Sequence, residues 1–336
     1  MPPRRASFLI GSATVRAGSK QATEFPIAKQ VTGSPISLPV LVVHGAFEGP
    51  TMWISAAVHG DEINGVEIIR RLIGHIDPKK LTGTLLLVPV VNVPGFTTGN
   101  RYLPDRRDLN RSFPGSKRGS LASRIATLFM SEIVDRCSLG IDLHTGSDHR
   151  TNLPQIRADL ADPKTLELAT AFAAPVLMHA SIRDGSLRQA GTEAGATVLL
   201  FEGGEAWRFD EHTIRVGTQG ILNVLSHTGA YDLPRSQPET LLTCRGSSWV
   251  RARRGGIAQI SVNTGDQVTK GQTIGLIHDA FGRQLSRINA PADGVVVGLS
   301  LDPLVNQGDA LVHVGEIETI ITAAGQPPQQ TTGEPV

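Results

Sequence analysis

Apolar residues in the first two thirds of the chain fall into short unbroken runs, separated by stretches of helical spacing. After a β-rich opening, "SLPVLVVHG" and "TMWISAAVHG" are rich in β-branched residues and end at glycine, which predicts strands. Val66, Ile69 and Ile73 then repeat at helical spacing, with Arg70 and Arg71 on the other side. "GTLLLVPVVNVPGF" predicts a further buried strand. "LASRIATLFMSEIVDRC" predicts a helix whose Leu121, Ile125, Leu128 and Ile133 share a face. "LGIDLHTGS" and "ATVLLFEGGE" are again apolar strands that end in polar residues. Strands alternating with helices predict an α/β fold with a mixed, largely parallel sheet flanked by helices. Such sheets carry their sites beyond the carboxyl ends of the strands, where the polar clusters of this chain lie.

From about residue 240 the pattern changes to short strands punctuated by glycine, with no convincing helix. An internal repeat appears there at an offset of 37 residues, pairing Val268 with Val305, Gly271 with Gly308, Ile274 with Leu311 and Ile277 with Val314. Two similar β units predict a small quasi-symmetric barrel. In "GDQVTKGQTIGLI" and "INAPADGVV" the segment resembles the biotinyl/lipoyl-domain fold, whose cofactor sits on a lysine at a hairpin tip. The matching stretch here, "HDAFGRQL", has no lysine, and Lys270 precedes the hairpin, so a swinging-arm carrier is not expected. The expected organisation is a catalytic domain over residues 1–238, a β-barrel over 239–318 and an unstructured polar tail, rich in Pro and Gln, over 319–336.

Length and composition fit this division. The 336 residues, 40% of them hydrophobic, suffice for a large core and about two domains. Lys+Arg 32 against Asp+Glu 31 leaves a formal net charge of +1, so no overall field recruits nucleic acid or a membrane surface. Cys137 and Cys244 are far apart and share no metal-type spacing, which argues against a disulfide framework and fits a reducing cytoplasm. In "MPPRRASFLIGSATVR" the apolar stretch after the basic residues is broken by Gly, Ser and Thr, so the N-terminus is read as untargeted. A homo-oligomer stays open.

The chemistry concentrates in "VHGDEINGVEIIRRL", Val58 to Leu72, where charged residues stand between an apolar strand and an apolar helix. His59 and Glu62 are three apart at the helix entrance, so both side chains can lie on one side of the turn. Two His and one Glu form a catalytic zinc ligand set that leaves one position for water. The second histidine is His144, which ends the strand "LGIDLHTGS". Asp142, two residues earlier and on the same strand face, could accept the free N–H of a ligand histidine. "RDLNRSFPG" presents Asn110 and Arg111 together, with Arg101 ten residues before Arg111. Arginine forks bind carboxylates and can also stabilise an oxyanion. Glu202 ends an apolar strand before two glycines and could shuttle the proton that hydrolysis at a metal requires, with Glu205 a lesser rival. Each feature has a plainer reading: a surface or capping pair for His59 and Glu62, a hydrogen-bonded core histidine for His144, a solvated basic loop, a strand-end surface glutamate.

Taken together, "HGDE" with its following "NG", then "DLNR", "DLH" and the glutamate of "FEGG" resemble, in this order, the succinylglutamate desuccinylase/aspartoacylase family. That family is a branch of the zinc carboxypeptidase fold. The resemblance covers roughly residues 20–235. It implies that His59, Glu62 and His144 hold one zinc ion, with Glu202 as general base. It further implies that Asn110 and Arg111 hold a substrate carboxylate or nearby polar group and that Arg101 polarises the scissile carbonyl. The implied reaction is hydrolysis of a small N-acyl amino acid or N-acyl diamino acid, a linear amide, by a metal-bound water, yielding a carboxylate and a free amine. Arg188 is a further candidate anion contact, with a merely exposed arginine as the equal alternative. Aspartoacylase-like members and carboxypeptidases use a late tyrosine, whereas this chain has only Tyr102 and Tyr231, neither beyond residue 240. Acetylaspartate specificity and true peptidase action are therefore disfavoured, and the layout is closer to bacterial members acting on acylated diamino acids. The competing classes are a zinc carboxypeptidase acting on peptides and a non-catalytic binding protein.

Overall fold

The computed structural model describes residues 5–181, 184–238 and 240–322. Strands β1 (Phe8–Ile10) and β2 (Ala13–Val15) form a small hairpin ahead of β3 (Ser19–Lys29), β4 (Pro35–His44), β5 (Phe47–Ala56), helix α1 (Asn64–His75) and β6 (Thr82–Val88). Helices α2 (Val93–Thr98) and α3 (Leu121–Glu132) lead to β7 (Leu139–Gly146), β8 (Arg150–Ala158), α4 (Pro163–Phe172) and β9 (Val176–His179). Then come α5 (Leu187–Glu193), β10 (Thr197–Glu205) and α6 (Glu211–His227). The chain continues as β11 (Thr240–Arg251), β12 (Gly256–Ile260), β13 (Gln267–Val268), β14 (Thr273–His278), β15 (Gln284–Asn289), β16 (Gly294–Ser300), β17 (Leu304–Val305) and β18 (Ala310–Thr322).

Twelve strands share one sheet in the order β13-β16-β18-β11-β9-β8-β10-β7-β5-β6-β4-β3, with a further pairing between β16 and β8. It is mixed. Parallel pairing is confined to β6–β5–β7–β10 and β8–β9–β11, and the other ladders are antiparallel, which corrects the expectation of a largely parallel sheet. Connection length is the reason. Links such as the one from Gly146 to Arg150 are too short for a crossover helix, so β8 must reverse, and β10 slots between β7 and β8.

The central strands are covered on both faces, which is why they read as continuous apolar runs. Met52, Ile54 and Ala56 of β5 pack with α1, α4 and α6, whereas Trp53 between them packs on the other side with α3, α5 and the β1–β2 hairpin. The run "GTLLLVPVVNVPGF" is only half strand. It stops at Val88, and α2 follows because Pro94 sits in its first turn while the Asn92 side chain accepts from Gly95 N at 2.9 Å. Cys137 and Cys244 are both free thiols, and among the described residues no helix is long and apolar enough to cross a membrane.

The C-terminal strands divide between two sheets that enclose one apolar core. Val268, Ile274, Ile277, Val305, Leu311 and Val314, the repeat positions, all lie in it, and the paired glycines Gly271 and Gly308 both turn at positive φ (85° and 97°). Strands β12, β14, β15 and β17 form a separate four-stranded sheet, while β13, β16, β18 and β11 extend the large one. Among the described residues no ladder joins the two sheets, so the closed barrel is not established by the pairing. Four residues placed in the expected tail belong to a strand. Thr319 to Thr322 continue β18 paired with β11, and residues 323–336 lie outside the described residues.

One close contact seats α1 on the sheet. A Cβ added at Gly65 would stand 2.7 Å from the Cβ atoms of both Ala56 on β5 and Leu143 on β7, neither of which can turn aside. Gly65→Ala is therefore expected to cost about 1–3 kcal/mol of stability and lower the thermal midpoint, measurable by calorimetry.

Candidate active site

Strand β5 stops where Ala57 takes a positive φ of 49°, and the following loop carries the motif residues to the start of α1. Gly60 lies flat on α2: an added Cβ would meet Gly95 C at 2.0 Å and Phe96 N at 2.2 Å. The next residues form a single turn, Glu62 N donating to His59 O at 3.2 Å, which puts both side chains on one side. They are buried, with His59 4% and Glu62 2% exposed, so the surface-pair reading fails.

Sheet register supplies the remaining groups. On β7, Leu139, Ile141 and Leu143 face the α1 side, leaving Asp142 and His144 on the opposite face. The ladder with β10 sets Glu202 directly beside His144, and the ladder with β5 sets Ser55 beside Asp142. His144 Nδ1 lies 2.9 Å from Glu62 Oε2, and His59 Nδ1 lies 2.7 Å from Glu62 Oε1. One ligand atom from each of His59, Glu62 and His144 falls within 4.8 Å of the other two. The outer nitrogens are also held. His144 Nε2 meets Asp142 Oδ2 at 2.8 Å, Asp142 Oδ1 accepts from Ser55 Oγ at 2.7 Å, and His59 Nε2 meets Asp108 Oδ1 at 3.1 Å. Buried soft and hard donors converging from separate elements, each imidazole backed by a carboxylate, form a donor set suited to a divalent ion such as zinc.

Electrostatics reinforce this. Burial disfavours charge on His144, but Asp142 and Glu62 outweigh it and hold its pKa well above the usual value. Burial likewise opposes protonation of His59, and Glu62 and Asp108 again prevail, raising its pKa. Burial alone would raise the Glu62 pKa, yet the two histidines hold it well below the carboxylate range. Glu202 moves the other way. Burial is the main cause of its raised pKa and Glu62 adds to it, while His144, Arg157 and a 2.8 Å hydrogen bond from Asn152 Nδ2 oppose it.

A cavity of about 400 Å³ opens over these groups, lined by His59, Glu62, Arg101, Asn110, Arg111, His144, Arg188 and Glu202. These eight residues, each singled out in the sequence, therefore face one space. Arg101 donates to Glu62 Oε1 at 3.2 Å and to Asp108 Oδ2 at 3.3 Å. Asn110 is buried and its Oδ1 accepts from Leu187 N at 2.9 Å, while Arg111 donates to the Asn110 carbonyl. Arg188 is not an exposed arginine. It is buried and donates to the carbonyls of Ala180 (3.0 Å) and Ser181 (2.6 Å). Glu205 does not line the cavity and pairs with Arg208 at 3.1 Å.

Sequence reasoning passed over Asp108, although it opens the "DLNR" motif. Its carboxylate joins His59, Arg101 and Asn110 N (2.8 Å), and against burial, which would raise its pKa, His59 and then Arg101 and Arg111 hold it well down. Asn152, Arg150, Trp249 and His313 also line or touch the cavity and carried no local signal. Asp61, inside the motif, is buried with no partner for either carboxylate oxygen, and burial, then Glu62, push its pKa to about 6.

A family profile described as "Succinylglutamate desuccinylase/Aspartoacylase catalytic domain" matches residues 48–228. The N-alpha-acetyl-L-2,4-diaminobutyric acid deacetylase of Halomonas elongata is 29% identical over 297 residues, 84% of this chain and 86% of that protein. Among solved structures, a succinylglutamate desuccinylase/aspartoacylase from Rhodobacter sphaeroides superposes with a TM-score of 0.78 at 29% identity, covering 89% of this chain and 96% of its own. The product-bound ectoine utilization protein EutE (DoeB) from Ruegeria pomeroyi gives a TM-score of 0.79 at 25% identity over 88% and 95%.

The surroundings that raise both histidine pKa values favour protonated imidazoles, and a metal must compete with those protons for the same nitrogens. Zinc uptake by metal-free protein is thus expected to release protons and to weaken as pH falls, seen by titration calorimetry in buffers of different ionisation heat. Uptake without proton release would count against these ligands. Asp142→Asn should weaken zinc binding about 10- to 100-fold, and His144→Ala should abolish stoichiometric zinc by elemental analysis.

Proposed function

Because the chain belongs to the succinylglutamate desuccinylase/aspartoacylase family, we propose that it hydrolyses the amide bond of a small N-acyl amino acid, of the N-acyl diamino acid type, to a carboxylate and a free amine. The observation that carries this reading is the register that sets Glu202 beside His144, on the strand face where His59 and Glu62 converge with it. The length-spanning similarity to a deacetylase of an acylated diamino acid supports the substrate class.

In this reading His59, Glu62 and His144 would hold a zinc ion, with Asp142 and Asp108 orienting the imidazoles through their outer nitrogens. When bound, zinc supplies positive charge that polarises a carbonyl and acidifies water toward a pKa of about 7. Glu202 accepts the proton of the attacking water on a carboxylate oxygen. Its raised pKa brings it nearer the working pH and suits it to pass that proton on to the departing amine nitrogen. The C–O bond forms first, leaving charge on the carbonyl oxygen, and the amide C–N bond breaks as that charge collapses and the nitrogen takes the proton, so one water is consumed. Arg101, already fixed by Glu62 and Asp108, offers its guanidinium to the developing oxyanion. Asn110 and Arg111 line the cavity as substrate contacts.

Residues 1–238 are read as the catalytic unit and 239–318 as an attached small β-barrel, a reading supported by its separate apolar core. A cavity of about 400 Å³ walled partly by Trp249 and His313 favours a small substrate over a peptide.

Two measurements test the reading. Zinc-loaded protein should cleave members of a panel of N-acyl amino acids and N-acyl diamino acids while leaving dipeptides intact. Cleavage of dipeptides alone would overturn it in favour of a peptidase. Glu202→Gln should retain zinc but lose roughly 10²- to 10⁴-fold in kcat.

A further inference from the structure

The cavity has a wall that the proposed chemistry does not use. Trp249 on β11 and His313 on β18 are ladder partners, and their rings stack with centroids 4.6 Å apart at 10°. His313 Nε2 is held 2.8 Å from Ser247 Oγ, which fixes the stack from behind. Arg150 completes the wall: its guanidinium carbon lies 5.5 Å from the centre of the Trp249 ring. Its backbone is positioned by the same C-terminal strands, because Arg150 is the ladder partner of Ser300 on β16 and Leu301 N donates to His149 O at 2.7 Å.

The bonding state of this arginine sets it apart from its neighbours. Arg101, Arg111 and Arg188 all donate to acceptors within the protein. Arg150 Nε is buried with no hydrogen-bond partner, and the acidic group nearest the guanidinium, the exposed Asp148, is 4.0 Å away. A buried donor left open costs free energy that an incoming acceptor recovers. A guanidinium edge oriented by an aromatic face matches a carboxylate, since two parallel N–H donors can meet its two oxygens and the ring has already restricted the side chain.

We propose that Arg150, seated on the Trp249–His313 stack, is a specificity-determining residue that binds the free carboxylate of the substrate, so that the enzyme selects amides bearing a carboxylate over their neutral counterparts. This rests on the deacylase reading given above and assigns the carboxylate to the C-terminal wall rather than to Asn110 and Arg111.

The test compares an N-acyl diamino acid with its primary carboxamide, on zinc-loaded wild type and on Arg150→Gln, Arg150→Lys, Trp249→Phe and Arg111→Gln. Wild type is expected to favour the carboxylate. In Arg150→Gln that preference, as the ratio of kcat/KM values, should fall about 10- to 100-fold, chiefly through KM. Arg150→Lys, which keeps the charge but loses the fork, should fall between. A preference that survives Arg150→Gln but collapses in Arg111→Gln overturns the assignment, as does an equal loss on both substrates with a lowered thermal midpoint. Calorimetric binding of the free diamino acid and its carboxamide to the same proteins needs no turnover and carries the same expectation. A wild type that cleaves neither substrate therefore counts against the deacylase reading, while binding still decides Arg150.

Discussion

The Glu62 carboxylate is the junction on which the site depends. One oxygen meets His59 and Arg101, and the other meets His144 and the Thr145 backbone N–H at 3.0 Å. A buried carboxylate is tolerable only when it is paired and hydrogen-bonded throughout. The start of α1, the end of β7 and the loop carrying Arg101 and Asp108 are therefore held to one mutual geometry. The glycines beside Glu62 serve the same constraint, since Gly60 admits the backbone of α2 and Gly65 admits the sheet. Asn64 adds a tie to the loop after β10, its Oδ1 accepting from Asp210 N at 2.9 Å.

Around that junction the sheet acts as a ruler. Ser55, Asp142, His144 and Glu202 come from three neighbouring parallel strands, and each is aligned by register rather than by loop packing. Polar groups on rigid strands lose little freedom when they engage one another, so orientation is built in before any ligand arrives. The cost appears at Asp61, a buried carboxyl for which we find no partner and no role.

Much of this was legible in the chain because local pattern and local chemistry coincide. The motif around His59 sits where an apolar run yields to helical spacing, and His144 and Glu202 end apolar runs, so strand ends and chemistry marked each other. Other features depend on what a residue meets far away. Nothing in "VNVPGF" separates a strand from a short helix except the reach of Asn92 back to Gly95. For Arg188 the sequence left an anion contact and an exposed arginine equally open, and only the carbonyls of Ala180 and Ser181 bring it inside. Trp249 and His313 are 64 residues apart and acquire meaning only from the β11–β18 ladder. Direction was misjudged for a related reason: the brevity of the β7–β8 link was visible, but the insertion of β10 between those strands was not.

The pairing of β16 with β8 makes the late strands a continuation of the same hydrogen-bonded fabric that carries Asn152. An appended unit joined by a flexible tether could swing aside, but one woven in at Arg150 and Thr151 cannot move without tearing a ladder. The positions divide along the polypeptide accordingly: His59, Glu62, His144 and Glu202 lie within residues 48–228, and Trp249 and His313 of the far wall come afterwards. Substitutions on β11 and β18 can thus reshape that wall of the cavity while leaving His59, Glu62, His144 and Glu202 as they stand.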